Sequence, residues 1–467
     1  MKSFLKNTLS LGSADIGVRL LSFIAITYLA RTLGPASMGV LAIGIAILAY
    51  ASIFINVGLP ILGVRHVAAK TIAIQNLIRR ICSARFLLAV VTFIISTVIL
   101  LIWVEESNTR TVAIIYLLTL FPSALLLDWL FQGLNKMKTL AVGRIIGMAV
   151  YLLFIIEMVS NSLDLYWVPF AWCFGFLAQT IYFWFRYKKL SLNSNSEKKP
   201  LHIFEIIKHG IPLGTASLIS QVIIQFPFIY LGFFDSAENT GLYSVAFRVV
   251  FLMLVIDRVF YTIFFPAISR TYIDSPEQLR DQVDWTLKIV TAGSLYVTIV
   301  ALIAGRDLLP IIFGPEFRDS GLIFQTLLGY FVLTIINSVF TSTLIGIEKE
   351  YLYTKSLLIG AMAFAVIILI PLPLSATLTA AIALATHQAV SMLMMMKYLR
   401  QSIMISPFLR VLLPLSVAIV FVLCVGLWQQ FYPVLIPITA AVLAFPAITI
   451  ASCINRSDIN ILRGFLK

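Results

Sequence analysis

The side chains most capable of chemistry in this sequence are the few charged groups that interrupt its long apolar stretches. Asp15 and Arg19 are four residues apart in the first stretch, so they share one face if it is helical. Arg248 interrupts a later stretch, with no acidic residue one helical turn away in the sequence. An ionised side chain in a bilayer costs at least about 2.5 to 3.5 kcal/mol, so such groups face a polar cavity or pair with each other. We expect all three to line a cavity, although a structural pair of Asp15 with Arg19 would meet the same cost.

Three further residues carry weaker signals. Asp257 and Arg258 are adjacent, so on a helix they point about 100° apart. Arg258 also lies near the end of its apolar stretch, where snorkelling into water explains it as well as ligand binding does. His387, which precedes Gln388, could bind and release a proton because histidine titrates closest to neutrality, although packing is the simpler explanation. Asp257 and His387 are our candidates for ion coupling.

The elements that must position these residues are membrane-spanning helices. Of the 467 residues 60% are hydrophobic and 12% are charged, and the mean hydropathy is +0.99, unlike a soluble domain. Within 38–64, Gly58 and Pro60 predict a bend or a partial loop. No connecting loop is long enough for a soluble catalytic domain. A helical span needs roughly 20 apolar residues, and about fourteen stretches have that length: 9–30, 38–64, 81–103, 111–131, 139–156, 165–185, 206–233, 240–266, 286–304, 319–343, 355–371, 376–396, 408–428 and 433–453.

The basic residues predict the orientation of the chain. If the N-terminus is inside, the inner loops and their flanking turns hold most of the 34 Lys and Arg residues, as cytoplasmic loops do. Both termini are therefore expected in the cytoplasm. Arg65, Arg85 and Arg144 lie at predicted inner ends of spans, where a topological role is sufficient. The net charge of +13 follows from this distribution, so it does not indicate binding of nucleic acid.

Short matches indicate an internal repeat. Gly39 matches Gly241, within a set of matches that share an offset of 202 residues (241 − 39). Residues 133–136, with the sequence GLNK, match residues 346–349, with the sequence GIEK, at an offset of 213 (346 − 133). An even number of spans in each copy means that both copies enter the membrane in the same direction.

The repeat predicts how the molecule is organised. We expect two pseudo-symmetric six-helix lobes, residues 1–199 and 200–400, followed by two additional spans in 401–467. Gln221 takes the place of Arg19 in the second copy (221 − 19 = 202), and Gln225 lies one turn further along the same face. Transporters place their substrate site at such a repeat interface and expose it alternately to each side of the membrane.

Several patches together carry a family resemblance. They are residues 28–39 (YLARTLGPASMG) with 58–60 (GLP) and Arg65, residues 128–137 (DWLFQGLNKM), residues 243–248 (YSVAFR) with 264–266 (FFP), and residues 312–317 (IFGPEF). The sequence in these patches resembles bacterial polysaccharide flippases of the Wzx type, in the multidrug/oligosaccharidyl-lipid/polysaccharide exporter superfamily. The patch that begins at Asp128 looks like the aspartate–tryptophan–phenylalanine–glutamine–glycine motif at the fourth span of that family. Asp128 could alternatively tie the fourth span to a neighbouring loop.

The resemblance implies a fold of two six-helix lobes that form a V, in the bacterial inner membrane. It implies translocation of an undecaprenyl-diphosphate-linked oligosaccharide, such as an O-antigen repeat unit, by alternating access. The implied partners are this lipid-linked oligosaccharide, membrane lipid, a polymerase and a chain-length regulator. Arg248 and Arg19 would then bind the diphosphate, because arginine forms paired, charge-assisted hydrogen bonds with phosphate oxygens. Gln221 and Gln225 would bind sugar hydroxyls, and Arg65 matches the family pattern.

Two other functions remain open. A multidrug/cation antiporter of the same superfamily would share the two-lobe plan, but cationic substrates favour an acidic cavity rather than arginines. A membrane polysaccharide polymerase would need a large outer loop with catalytic residues, and the predicted outer loops are short. We find no Walker loop, zinc-ligand spacing or dinucleotide fingerprint, and the four cysteines form no CxxC pair. We therefore predict a transporter rather than an enzyme, without a cofactor, a metal or a nucleic-acid partner.

Overall fold

The computed structural model describes residues 2–69, 73–190 and 203–403. These residues are almost entirely helical, and they contain no strand. Within them, ten helices or helix groups are long and apolar enough to cross a membrane. The predicted all-α, polytopic membrane fold is thereby confirmed. The two spans predicted in 401–467 lie outside the described residues, which end at 403.

The chain divides by its contacts into two compact units, Met1–Val245 and Ala246–Lys467. Helix α10 (Ala237–Met253) contains the division, whereas the repeat in the sequence divides the chain near residue 200. The described residues of the first unit form nine other α-helices: α1 (Lys2–Asn56), α2 (Leu59–Ala69), α3 (Ile74–Trp103), α4 (Ser107–Leu117), α5 (Leu120–Ala124), α6 (Asp128–Gly133), α7 (Met137–Met158), α8 (Trp167–Lys188) and α9 (Ile203–Phe234). The second unit adds α11 (Val255–Asp274), α12 (Pro276–Phe313), α13 (Ser320–Gly346), α14 (Glu350–Leu369) and α15 (Ala376–Ile403).

Helix α1 contains the first predicted span and most of the second. Its apolar part, Gly17–Asn56, has 40 residues, which is about twice the length needed to cross the hydrocarbon core. The two halves are divided by a kink at Gly34, where φ is 74°. Glycine adopts this conformation without steric cost, and Pro35 after it has no N–H to continue the helical hydrogen bonds. The Gly34-Pro35 pair therefore divides α1 into two helical halves.

Other predicted spans are broken as well. The bend expected at Gly58 is confirmed, because α1 ends at Asn56, Val57 and Gly58 have positive φ, and α2 follows. The fourth predicted span, 111–131, consists of three helices, α4 to α6. The span predicted over 240–266 is interrupted at Leu254, because α10 ends at Met253 and α11 begins two residues later. The part Ala237–Asp257 has the length and composition of a membrane span. No Gly or Pro marks this last break, so the sequence pattern does not reveal it.

The turns after α6 and α13 show the repeat in the backbone. Asn135 and Glu348 both have positive φ, 54° and 61°, which is uncommon outside glycine. The next residues, Lys136 and Lys349, each donate their N–H to the carbonyl five residues earlier, at 2.8 Å in both turns. This is the hydrogen bond of a left-handed helix C-cap. The sequence match at an offset of 213 (348 − 135) thus corresponds to the same structural turn in both places.

Candidate functional site

Arg85 on α3 is buried inside the first unit, with 3% of its surface exposed. Its Nη1 donates to the carbonyl of Leu126 at 3.2 Å, and its Nη2 donates to Oδ1 of Asn56 at 3.0 Å. Asp128, the first residue of α6, is close enough to interact with Arg85 electrostatically. The guanidinium of Arg85 on α3 is therefore bonded both to the end of α1 and to the break before α6.

This arrangement corrects the topological interpretation of Arg85. The side chain lies among protein groups rather than at a water-exposed helix end. The backbone carbonyl of Leu126 can accept because it lies where the fourth span breaks, and the side-chain oxygen of Asn56 lies where α1 ends. Apolar periodicity does not reveal either break. The signal in the sequence was Asp128, a carboxylate inside an apolar motif.

The rest of the motif that begins at Asp128 packs α6 against α2. Trp129 is 1% exposed, and its indole lies directly over Gly63, where an added methyl group would overlap the ring. Gly133 faces the side chain of Val67 in the same way, one turn further along both helices. This part of the motif therefore builds a helix contact, which supports the interpretation that Asp128 ties the fourth span to its neighbours.

A close helix crossing lies near the kink of α1, between the second half of α1 and the start of α10. A methyl group on Gly39 would overlap the carbonyl oxygen of Ala237, and a methyl group on Gly241 would overlap that of Pro35. The four residues form two pairs with the offset of the repeat (237 − 35 = 241 − 39 = 202). The crossing is therefore locally two-fold symmetric, with the backbones in direct contact.

The predicted cavity residues on α1 and α2 differ in exposure. Arg19 is half-buried on α1, and it interacts with other groups of the protein. Asp15 is one turn earlier on the same helix, but its side chain lies outside those that the structure describes. Arg65 is exposed on α2. The structure thus places Arg19, but not Arg65, partly inside the protein.

Gln221 and Gln225 are half-buried on α9, which packs against both α1 and α2. The hydroxyl of Tyr50 on α1 donates to the carbonyl of Val222 at 2.8 Å, so the contact between α1 and α9 is fixed beside Gln221. The two glutamines therefore lie in the same unit as Arg19, on helices that touch.

The second unit contains a polar cluster that the sequence indicated only in part. Asn337 on α13 donates through Nδ2 to both the carbonyl and the Oε1 of Gln388 on α15, at 2.9 and 2.6 Å. Tyr330 lies about two turns before Asn337 on α13. It is within hydrogen-bonding reach of Gln388, and the charge of Asp257 on α11 acts on Tyr330. Asp257 is half-buried. Three helices thus bring a carboxylate, a phenol and two amides together.

Sequence reasoning missed Tyr330 in this cluster. An aromatic residue in an apolar helix looks like a packing residue, and only its distance from Gln388 and Asp257 reveals its polar role. The sequence pattern did not lead us to Asp284 and Lys288 on α12 either. They are 6% and 5% exposed, and they lie one helical turn apart. Their spacing was a usable signal, since residues at i and i+4 of opposite charge share a face.

His387 is 4% exposed at the contact of α14 with α15, and its Nδ1 lies against Gly360 of α14. Arg248 is half-buried on α10, and it interacts with other groups of the protein. It lies within Ala237–Asp257, a segment that has the length and composition of a membrane span. Arg258 belongs to α11, but its side chain lies outside those described. His387 is therefore buried between two helices, whereas Arg248 is partly accessible.

The chemistry that these residues can supply includes binding. The half-buried arginines can bind an anion, and the cluster around Gln388 can bind hydroxyl groups or a cation at Asp257. Among the described residues, no group of three or more His, Cys, Asp or Glu side chains is placed to hold a metal ion.

Comparison with known protein families gives a match. A family model described as polysaccharide biosynthesis protein matches residues 4–272, which is more than half of the 467 residues. No curated protein sequence matches significantly.

Solved structures share the fold at low sequence identity. The lipid II flippase MurJ, in an inward closed conformation, aligns with a TM-score of 0.73 and 11% identity over 94% of this chain and 98% of that one. An inward-facing multidrug resistance transporter of the MATE family, in the MOP superfamily, aligns with a TM-score of 0.61 and 13% identity over 84% and 94%. A MOP superfamily transporter from Pyrococcus furiosus, described with a binding pocket of reverse polarity, aligns with a TM-score of 0.52 and 15% identity over 84% and 93%. The protein therefore has the fold of MOP superfamily transporters.

Proposed function

Since this chain belongs to the polysaccharide biosynthesis protein family, we propose that it is a flippase for an undecaprenyl-diphosphate-linked oligosaccharide, such as an O-antigen repeat unit. The substrate moves from the cytoplasmic to the outer leaflet of the bacterial inner membrane by alternating access. Both termini are cytoplasmic, and a polymerase and a chain-length regulator act on the product. The shared fold with the lipid II flippase MurJ supports transport of a lipid-linked substrate.

The observation that carries this proposal is Arg248, a half-buried arginine within Ala237–Asp257, which has the length and composition of a membrane span. In a site that excludes water, a guanidinium binds the oxygens of a diphosphate by paired, charge-assisted hydrogen bonds. Arg19 is the second anion-binding side chain, and Asp15 orients it. Arg65 and Arg258, nearer to the membrane surface, attract the diphosphate from the cytoplasmic leaflet.

The glycan and the driving ion would use other groups. Gln221 and Gln225 bind sugar hydroxyls through their amides, which donate and accept hydrogen bonds. Asp257 is the coupling carboxylate, because it is half-buried and its charge reaches Tyr330. His387, which is buried against Gly360, is the second candidate for ion coupling. The prenyl tail stays in the bilayer throughout.

The experiment that tests this function is complementation of a flippase-null bacterium, with membrane levels matched and surface polysaccharide read on gels. We expect the wild type to restore polymer, Arg248→Ala to fail and Arg248→Lys to restore it in part, because lysine keeps the charge without the paired geometry. Arg270→Ala, which removes an exposed arginine of the same unit, is the matched control and should restore polymer.

Two outcomes would contradict the proposal. Equal restoration by every variant would show that Arg248 is structural. Failure of the wild type in several sugar backgrounds, together with resistance to cationic drugs, would instead favour a multidrug/cation antiporter, whose fold this chain also shares.

A further inference from the structure

A cavity of about 760 Å³ opens on the side of the first unit between α3 and α8. Helix α5 contacts both of these helices, and Leu125, the residue after it, lines the cavity. The volume is in the range of sites that bind small molecules, roughly 300 to 1,000 Å³. The cavity is distinct from the residues assigned above to the diphosphate, the glycan and the ion.

One end of the cavity is polar and basic. It is lined there by Gln75 and Arg79 at the start of α3 and by Tyr187 at the end of α8, and the exposed Lys188 follows Tyr187. The side chain of Arg79 is exposed. Both helix ends belong to the face of the membrane that the excess of Lys and Arg assigns to the cytoplasm, where anionic lipid head groups attract basic residues.

Trp184 forms a rigid wall next to this basic end. Its Nε1 donates to the carbonyl of Leu125 at 3.0 Å, and its ring meets that of Tyr187 edge to face, with 5.8 Å between the centroids. Trp and Tyr are enriched at membrane interfaces because their rings are apolar and their N–H or O–H group is polar. The wall therefore lies at the level where a lipid head group meets its acyl chains.

The other end of the cavity is apolar and continues along α3. Phe86, Leu87 and Val90 line it, and the next outward-facing residues of the helix, such as Ile94 and Val98, are exposed. Only 17% of the apolar window of α3 is buried inside the protein. The cavity thus has a cationic end near the water and an apolar end that leads into the bilayer, which is the arrangement of a lipid.

We propose that this cavity binds one anionic phospholipid of the cytoplasmic leaflet. Its phosphate contacts Arg79 and Gln75, its glycerol region lies beside Trp184 and Tyr187, and one acyl chain follows Leu87 and Val90. Basic pockets between transmembrane helices on the cytoplasmic side bind such head groups. The proposal does not depend on which substrate the protein transports.

The test is native mass spectrometry of the full-length protein, purified with equal amounts of phosphatidylglycerol and phosphatidylcholine that have identical acyl chains. We expect the wild type to retain one phosphatidylglycerol in preference to phosphatidylcholine. Arg79→Gln should reduce this preference about fivefold, since one basic residue contributes about 1 kcal/mol to binding of anionic lipid. Ser83→Trp, which fills the cavity from an exposed lining position, should reduce retention of both lipids.

The matched control is Lys138→Gln. Lys138 is exposed at the start of α7, on the same predicted membrane face, and it does not line the cavity. Its variant should retain phosphatidylglycerol like the wild type. Equal retention of the two lipids by the wild type, or an equal loss in Arg79→Gln and Lys138→Gln, would overturn the proposal. A third outcome would also overturn the proposal: the wild type retains no lipid and forms a dimer that Ser83→Trp disrupts. The cavity would then be an interface between two copies of the chain.

Discussion

Arg85 and Arg248 are both arginines within apolar helices, but their surroundings differ. Arg85 is 3% exposed and bonded to Leu126 and Asn56, with Asp128 nearby. Arg248 is half-buried within Ala237–Asp257, a segment of spanning length. A fully enclosed arginine with fixed partners stabilises the fold, whereas a partly accessible one can exchange its partners for a ligand. The two residues should therefore respond differently to substitution.

We expect Arg85→Gln to lower the free energy of unfolding by about 1.5 to 3 kcal/mol, because the carbonyl of Leu126 and the side-chain oxygen of Asn56 lose hydrogen bonds to a charged group. The measurement is the midpoint of denaturation in detergent. In an Asp128→Asn background the same substitution should cost less, since the charge that it interacts with is already absent. Arg318→Gln, at an exposed position, is the control. Strictly additive effects of the Arg85 and Asp128 substitutions would contradict the interaction.

At the residue scale, the sequence predicted which charges interrupt the apolar spans but not what surrounds them. Arg248 and Arg19 were recognisable because a charge in a span is costly. The environment of Arg85 depends on helix breaks in other parts of the chain, at Asn56 and near Leu126, and a pattern within α3 cannot contain them. Tyr330 was missed for the same reason, because its polar neighbours belong to other helices.

At the scale of elements, the crossing of α1 with α10 depends on two glycines. Gly39→Ala should destabilise the protein by roughly 1 to 3 kcal/mol, since the added methyl group meets the carbonyl of Ala237 and both helices must shift. Gly241→Ala should have a similar effect, because the crossing is locally symmetric.

The matched control for these substitutions is Gly293→Ala on α12, where an added methyl group meets nothing within 4 Å. It should be neutral or slightly stabilising, because alanine favours a helix over glycine by about 1 kcal/mol. Thermal unfolding of the purified variants measures all three. Equal effects at Gly39 and Gly293 would show that the helix crossing is not tight.

The helix breaks show how far elements can be predicted. Gly58 predicted the bend within the second span, and Gly34 with Pro35 produces the kink in α1. Both breaks are recognisable because glycine and proline have unusual backbone geometry. The break at Leu254 has neither residue type near it. Packing of α11 against α12 and α13 holds that helix in its place, and such tertiary contacts leave no local mark in the sequence.

At the scale of the whole molecule, the sequence predicted the fold class and the repeat. The offset of 213 residues links two turns that share the same positive φ and the same 2.8 Å hydrogen bond. The offset of 202 links the two sides of the crossing at Gly39 and Gly241. Short matches were sufficient because turns and close crossings require particular residue types, whereas lipid-facing helices accept any apolar residue.

The most direct test of the proposed function is a flipping assay with the purified protein in liposomes. The substrate is a prenyl-diphosphate-linked oligosaccharide with a fluorescent label, and an impermeant quencher reports which leaflet holds it. We expect the wild type to equilibrate the label between leaflets and Arg248→Ala to be at least about tenfold slower, since a hydrogen bond to a charged group contributes about 1.5 to 3 kcal/mol. A wild-type protein that leaves this lipid in place under proton and sodium gradients, yet transports a cationic dye, would contradict the account.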